Sequence, residues 1–311
     1  MKRRTPILTL TLLGTGRYVP KTIVPNAEFE KTLDTTDEWI VQRTGIRERR
    51  ICKGETLLDM ALGSAKAALA NAGMPRIDAI IAASATQDYH FPPLACRLGT
   101  ALGLNGPFCM DVGATCSGFV YALDVAAHYI HAGSAETVLV VSAEMLSALT
   151  DYTDRATCIL FGDAAAAAVV AKGDKPYSSV LNCAADPEES LFCKSGGTVV
   201  MNGSGVYKFA VGVASKSIGG VLEKAGLCMD DIDWFILHQA NIRIINGIVS
   251  RCGIDPAKVP ISLDQYANPS SATIPLTLDL MREDGRLRPG QRILLSGFGA
   301  GLTYGASVFE V

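Results

Sequence analysis

No stretch of this chain approaches the roughly 20 consecutive apolar residues that span a bilayer, so no membrane partnership is expected. An excess of one charge is missing too: 28 Lys and Arg stand against 31 Asp and Glu, a net −3 at pH 7. Without a global positive field, nucleic acid is not an expected partner, and any anionic ligand must meet a local patch. The nine cysteines (52, 96, 109, 116, 158, 183, 193, 228 and 252) show neither metal-site nor disulfide-framework spacing. An odd count in a large chain fits a reducing cytosol with mostly inert thiols, so a cytoplasmic protein without a metal or redox cofactor is expected. The glycine-rich Gly297-Phe-Gly-Ala-Gly301 lacks a P-loop lysine and does not open a helix, which argues against a phosphate cradle there.

What is present suits a two-unit globular protein. The chain has 311 residues, 49% of them hydrophobic and 19% charged. That allows about two units of roughly 150 residues and a well-buried core. Met1-Lys-Arg-Arg4 followed by Ile7-Leu-Thr-Leu-Thr-Leu-Leu13 imitates a secretory signal. The apolar run is short, alternates with threonine and is followed by no small-x-small cleavage site, so a first β-strand is expected instead.

Alanine-rich helical stretches alternate with β-branched runs, the pattern of an α/β protein. Three segment pairs then repeat in the same order, offset by roughly 140 to 155 positions. Ala68-Leu-Ala-Asn-Ala-Gly73 leading to Ile77–Ile81 resembles Val221-Leu-Glu-Lys-Ala-Gly226 leading to Ile232–Ile236. In each, a glycine closes a helix and a buried strand begins. Phe108–Gly118 feeds an apolar helix at 119–131, as Ile261–Ser271 feeds one from Ala272 to about Met281, both leaders being read as strands. Ile159–Val170 matches Leu295–Val308, each read as strand, small-residue turn and returning strand. A duplicated α/β unit follows, with halves 1–172 and 173–311 divided at the polar Lys172-Gly-Asp-Lys-Pro176. The helix at 119–131 is apolar nearly all round and belongs between layers, which gives a helix–sheet–helix–sheet–helix stack.

Overlaying the halves places Cys116 and Asn268 at equivalent strand-to-helix junctions, and His238 ends the strand Trp234–Leu237. Functional groups collect beyond the carboxyl ends of strands in such sheets. Cys116 opens a helix, whose unpaired N–H groups and positive end favour the thiolate. His238 and Asn268 can then donate to a carbonyl oxygen where charge develops.

Those residues sit in motifs that resemble the β-ketoacyl-acyl-carrier-protein synthases of the type III kind, within the thiolase superfamily. The motifs are Asp34-Thr-Thr-Asp-Glu-Trp-Ile-Val-Gln-Arg-Thr-Gly-Ile-Arg-Glu-Arg-Arg50, Asp111-Val-Gly-Ala-Thr-Cys-Ser-Gly-Phe119, His238-Gln-Ala-Asn-Ile-Arg243, Asn268-Pro-Ser-Ser-Ala-Thr-Ile-Pro275 and Phe298-Gly-Ala-Gly-Leu-Thr-Tyr-Gly305. The resemblance runs from Gly14 to Val311 and implies a thiolase-like fold. It also implies that an acyl-coenzyme A starter, acetyl in the first instance, loads Cys116. Malonyl-acyl-carrier protein then loses carbon dioxide and condenses, with His238 and Asn268 holding the enolate and the backbone N–H groups of Cys116 and Ala300 holding the oxyanion. Coenzyme A enters as a substrate, not a cofactor.

By the same resemblance Trp39 and Arg43 sandwich the adenine, Arg155 contacts phosphate or adenine, and Asn241 meets pantetheine or water. Met201 and Tyr207 line the tunnel. Arg243 and Lys208 greet the acidic carrier protein. Phe91 reaches across a homodimer to floor the partner's acyl pocket. Arg49 and Arg50 are read as solvated surface residues. The stretch Asp186–Thr198 is shorter than in well-known relatives, which leaves the starter length open. Two other readings stand beside this one. One is a priming ketosynthase or acyltransferase of a polyketide or secondary-metabolite pathway on the same fold. The other is a Cys-His-Asn hydrolase of the papain type.

Overall fold

The structure is a computed structural model that describes residues 7–186 and 188–311. The basic Met1–Arg4 therefore lies outside the described residues, while the alternating segment after it forms β1 (Leu8–Tyr18). A small antiparallel pair, β2 (Thr22–Pro25) and β3 (Glu48–Ile51), brackets α1 (Ala27–Glu30) and α2 (Asp37–Thr44). The first half continues with α3 (Leu57–Asn71), β4 (Ala79–Ala83), α4 (Leu94–Ala101), β5 (Phe108–Val112) and α5 (Gly118–His131). It closes with β6 (Thr137–Met145), α6 (Arg155–Cys158) and the long β7 (Asp163–Cys183). A hairpin of β8 (Leu191–Phe192) and β9 (Val200–Met201) leads into α7 (Gly203–Ala225). Then come β10 (Trp234–Leu237), α8 (Ile242–Cys252), α9 (Leu263–Tyr266), α10 (Thr273–Glu283), β11 (Arg292–Gly299) and β12 (Thr303–Glu310).

The duplication is visible in the pairing. Within one half the strands run β5-β4-β6-β7-β1, parallel across β5, β4 and β6 and antiparallel thereafter. In the other they run β10-β11-β12-β7, again parallel first and antiparallel after. So β4 corresponds to β10, β6 to β11, and β7 serves twice: Asp163–Ala171 pairs with β6, and Tyr177–Cys183 pairs with β12. Lys172–Pro176 is the irregular stretch between those two pairings, where the register with β1 also shifts.

Two of the repeat readings need correction. Ile261–Ser271 holds no strand: Leu263–Tyr266 is a short helix, and only a single parallel bridge joins Asn268 to Phe161. Ile159–Val170 is a turn followed by one strand, not a strand–turn–strand, whereas Leu295–Val308 does turn back on itself. The apolar pattern that suggested a strand at 261 is spent instead on burying Leu263 and Ala267 under α8.

Strand alternation builds the layers. Ala79, Ile81 and Ala83 of β4 face α5 and α10, and Ile80 and Ala82 face α3 and α4. Leu294 of β11 faces α7 and α8, while Ile293 and Leu295 face α5 and α10. The result is the helix–sheet–helix–sheet–helix stack, with α5 and α10 buried at its centre. Gly73 and Gly226 both close their helices with left-handed backbone, at φ of 78° and 69°, which a side chain there would disfavour.

Alternation also overturns the solvated reading of Arg49. The β3 backbone turns it inward, and it is fully buried. Its guanidinium bonds Val24 O, Asn26 Oδ1 and Ile159 O at 3.1, 2.8 and 2.9 Å and lies 4.6 Å over the Phe29 ring. Burial without a bonded carboxylate pushes its pKa down to about 10. Arg50 is partly buried and pairs with Glu48 at 2.8 Å. No described helix is long and apolar enough to cross a membrane.

Candidate active site

Two strand ends and one turn bring the candidate groups together. Cys116 lies in the 3-10 turn Thr115–Ser117 between β5 and α5, His238 follows β10, and Asn268 precedes the turn Ser270–Ala272 that starts α10. All three line one largely apolar cavity of about 770 Å³. Among the other predicted residues, Trp39, Arg43, Arg155, Met201, Tyr207, Lys208, Asn241, Arg243 and Ala300 line it as well. Phe91 does not; it stands on the loop before α4 with 82% of its surface exposed.

The sulfur departs from the expected thiolate. Cys116 is half-buried at the cavity wall, and burial pushes its pKa up to about 12. A hydrogen bond from Ser270 Oγ to Sγ at 3.3 Å and the Cys116 backbone N–H act the other way, while the Glu144 charge adds to the rise. The helix end is real, but removal from water outweighs it. The resting group is a thiol.

His238 is buried, and burial lowers its pKa to about 3, so the ring is neutral at any ordinary pH. Its Nδ1 lies 2.7 Å from Thr273 Oγ1, and the ring packs edge-on against Phe298. Thr273 has one hydroxyl proton and two neighbours for it, His238 Nδ1 and the Ser270 carbonyl at 3.0 Å. With that proton turned to Nδ1, Nε2 carries the ring proton and donates towards the cavity; with it turned to the Ser270 carbonyl, Nδ1–H donates to Oγ1 and Nε2 accepts. Asn268 is oriented by Ser270, whose N–H donates to Oδ1 at 2.9 Å. Its Nδ2 is thereby left as a free donor.

The turn after β11 completes the site. Gly299 packs so tightly against Cys116 that a Cβ there would lie 2.7 Å from Cys116 N and 2.4 Å from Thr115 Oγ1. Thr115 Oγ1 donates to Ala300 O at 3.0 Å, and Thr303 Oγ1 donates to Ala114 O at 3.0 Å, tying the two turns together. Among the described residues no carbonyl outside the helices and strands accepts from Cys116 N–H or Ala300 N–H. At the other end of the cavity both arginines stack on one indole: Arg155 lies 4.9 Å and Arg43 5.5 Å from the Trp39 ring centre.

The sequence reading assigned no role to Ser270 and Thr273, although both fall inside a motif it quoted, and it passed over Glu144 entirely. Glu144 left one signal: it is the lone acid ending the apolar run Val138–Ala143. In the fold it is fully buried.

Known proteins bear on this arrangement. The family model for 3-oxoacyl-[acyl-carrier-protein (ACP)] synthase III matches residues 110–187, and the model for its C-terminal part matches residues 222–311. The chain is 41% identical to a β-ketoacyl-[acyl-carrier-protein] synthase III of Ehrlichia canis, over 96% of this chain and 98% of that one. It is 43% identical to the protein of that description from Oceanobacillus iheyensis, again over 96% and 98%. Its structure superimposes on the 3-oxoacyl-[acyl-carrier-protein] synthase III of Aquifex aeolicus with a TM-score of 0.95 and 40% identity, covering 97% of this chain and all of that one. A priming β-ketosynthase of the R1128 polyketide pathway follows at 0.94 and 34%, covering 100% and 99%. The thiolase-like fold and its duplicated halves are thus shared with enzymes that join acyl units, and the chain belongs to the β-ketoacyl-acyl-carrier-protein synthase III family.

Proposed function

We propose that this enzyme condenses an acyl-coenzyme A starter, acetyl in the first instance, with malonyl-acyl-carrier protein to begin fatty-acid synthesis. The observation that carries the reading is the convergence, at one apolar cavity, of a thiol, a neutral imidazole and an oriented side-chain amide. The cycle has two halves. Cys116 attacks the starter thioester, and coenzyme A leaves as the acyl group passes to sulfur. Malonyl-carrier protein then enters, and decarboxylation places an enolate oxygen before His238 Nε2 and Asn268 Nδ2. Two neutral donors suit that charge, and a largely apolar wall strengthens each of them. The α-carbon attacks the acyl carbonyl, whose oxygen turns to the N–H groups of Cys116 and Ala300.

Trp39, Arg43 and Arg155 suit a nucleotide base and its phosphates, with Asn241 along the pantetheine arm and Met201 and Tyr207 on the wall. Arg243 and Lys208 offer the cations an acidic carrier protein needs. Phe91, exposed and apolar, suits a role as the floor of a partner's pocket in a homodimer. The priming ketosynthase reading shares every one of these groups. The hydrolase reading needs asparagine to orient the histidine, but here Thr273 holds the ring and Asn268 is turned to Ser270.

The direct test is intact mass after incubation with a panel of acyl-coenzyme A thioesters, before and after malonyl-carrier protein. One acyl group mapped to Cys116, then discharged as β-ketoacyl-carrier protein, is the expected result. Loading without discharge would favour an acyltransferase, and no loading by any thioester would overturn the proposal. Thr273→Val should leave loading intact and slow discharge by about tenfold, because His238 loses the partner that fixes its proton on Nε2. Single-turnover discharge of pre-loaded enzyme checks this.

A further inference from the structure

Behind the wall of the cavity, His238 and Asn268 are joined by a closed circuit of buried hydrogen bonds that begins at Gln239. This residue follows His238 directly, is fully buried and does not line the cavity. Its amide is bonded at both ends. Nε2 donates to Leu237 O at 2.8 Å and to Pro260 O at 3.3 Å, and Oε1 accepts Ser262 N–H at 3.0 Å. The reversed amide would set its oxygen against two carbonyls, so a single orientation fits. An amide removed from water is costly unless its groups are bonded, and here they are.

From Ser262 the circuit returns to His238. Thr277 Oγ1 donates to Thr273 O at 2.8 Å, so the Ser262 hydroxyl, 2.7 Å away, is the donor to Thr277 Oγ1. Thr273 Oγ1 in turn lies 2.7 Å from His238 Nδ1. The peptide bond between His238 and Gln239 closes the loop. Ser262, Thr273, Thr277 and His238 are all buried, so water does not compete for these bonds, and removal from water strengthens each of them.

Asn268 sits on the segment this circuit frames. Ser262, which Gln239 holds, immediately precedes α9, and Thr273, which meets the His238 ring, begins α10. Asn268 lies between them. Both ends of its segment are therefore tied to the turn that carries His238, and Ser262 and Thr277 tie the ends to each other. Separate backbone bonds anchor each residue to its own surroundings, His238 N–H to Ser296 O at 2.9 Å and Asn268 N–H to Leu160 O at 3.0 Å. The circuit is what connects one to the other. We propose that Gln239 is a positioning residue, whose amide sets the His238 ring and the Asn268 side chain relative to one another so that both reach a single oxygen atom.

Gln239 touches no substrate; it acts through Ser262 and through the backbone on either side of His238. An apolar side chain of the same length would leave the Ser262 N–H and two carbonyls without their partner, and the turn after β10 would shift to recover them. A displacement of about 1 Å at a reacting group can cost roughly 100-fold in rate. Cys116 is outside the circuit, so the sulfur keeps its place. The role in condensation rests on the synthase reading, whereas the circuit itself does not.

Gln239→Met tests this, and Thr277→Val opens the circuit on its far side should the first variant fail to fold. Loading by the acyl-coenzyme A that the wild type accepts fastest, and single-turnover discharge by malonyl-carrier protein, are read by intact mass on the full chain. The imidazole nitrogen signals of histidine-labelled protein are recorded in parallel. Each variant should load within about twofold of the wild type and discharge about 100-fold more slowly. The double variant should be no slower than the slower single one, because a circuit already open has little left to lose. The His238 signal, identified as the one missing from His238→Asn, should show one tautomer in the wild type and a mixture of both in either variant. Wild-type discharge in either folded variant, loading and discharge that fall together, additive losses in the double variant, or an unchanged His238 signal overturns the positioning role. A wild type that accepts no acyl group refutes the synthase reading instead, and the His238 signal then decides the circuit alone.

Discussion

His238→Ala and Asn268→Ala should each still acquire one acyl group at a near wild-type rate, yet lose at least about 100-fold in discharge by malonyl-carrier protein. Cys116→Ser should lose loading, since a hydroxyl in place of the thiol is a far weaker nucleophile for a thioester. The separation follows from geometry. In the proposed cycle, starter loading uses the sulfur and the backbone N–H groups, while the enolate meets Nε2 of His238 and Nδ2 of Asn268. Neither donor atom is engaged by the protein, because Thr273 takes Nδ1 and Ser270 takes Oδ1. The pH dependence sharpens the prediction. His238 has its pKa lowered to about 3, so its donor role should not titrate between pH 5 and 9. Because the folded state keeps the ring neutral while the unfolded chain binds a proton below about 6.5, this histidine costs stability as pH falls through that value and none above it. Rapid-quench mass spectrometry of each half-reaction checks the partition. A donor variant that condenses normally would overturn the roles.

The second large effect is steric. Gly299→Ala should reduce both half-reactions by about 100- to 1000-fold, the loss typical of a removed oxyanion donor. Gly299 itself has extended backbone at φ −166°, which any residue adopts, so conformation is not the obstacle. The obstacle is the neighbour. The new methyl would lie 2.7 Å from Cys116 N, 2.4 Å from Thr115 Oγ1 and 3.2 Å from Cys116 Cβ. Two of those atoms belong to the nucleophile itself, so the turn must shift and the paired N–H groups of Cys116 and Ala300 part. Overpacking of this kind also costs about 1–3 kcal/mol of stability. Gly212→Ala on α7, where no atom lies within 4 Å of the new methyl, should keep full activity as the matched control. Thermal melting beside steady-state rates distinguishes a distorted site from an unfolded protein. An active Gly299→Ala enzyme would show that the turn is more compliant than its packing suggests.

Local pattern carried the reading of the halves because the duplicated pieces obey local rules. A glycine that ends a helix needs no distant partner, and the apolar runs of β4 and β10 are strands because both of their faces are covered. The same rules failed at Ile261–Tyr266. There the apolar residues alternate as a strand would, but no neighbouring strand accepts them, and the chain coils into α9 to bury Leu263. Arg49 was misread for a related reason. A run of arginines reads as solvent-exposed until the strand that carries it is pressed against the rest of the fold, with alternate residues facing inward.

The sequence by itself determined the α/β class and most of the order of helices and strands, and it singled out Cys116, His238 and Asn268 as the candidate groups. Those candidates were legible because each sits in a contiguous motif, Cys116 and His238 just beyond the strands β5 and β10. Only the tertiary structure decided their electrostatics. Burial, not the helix end, governs the Cys116 thiol, and its partners come from far along the chain: Ser270 lies 154 residues away, and Ser271 reaches Glu144 across 127. Protonation depends on how much water is excluded and on which donors surround an atom. Both quantities are set by the closing of the two halves around α5 and α10, and no local pattern encodes them.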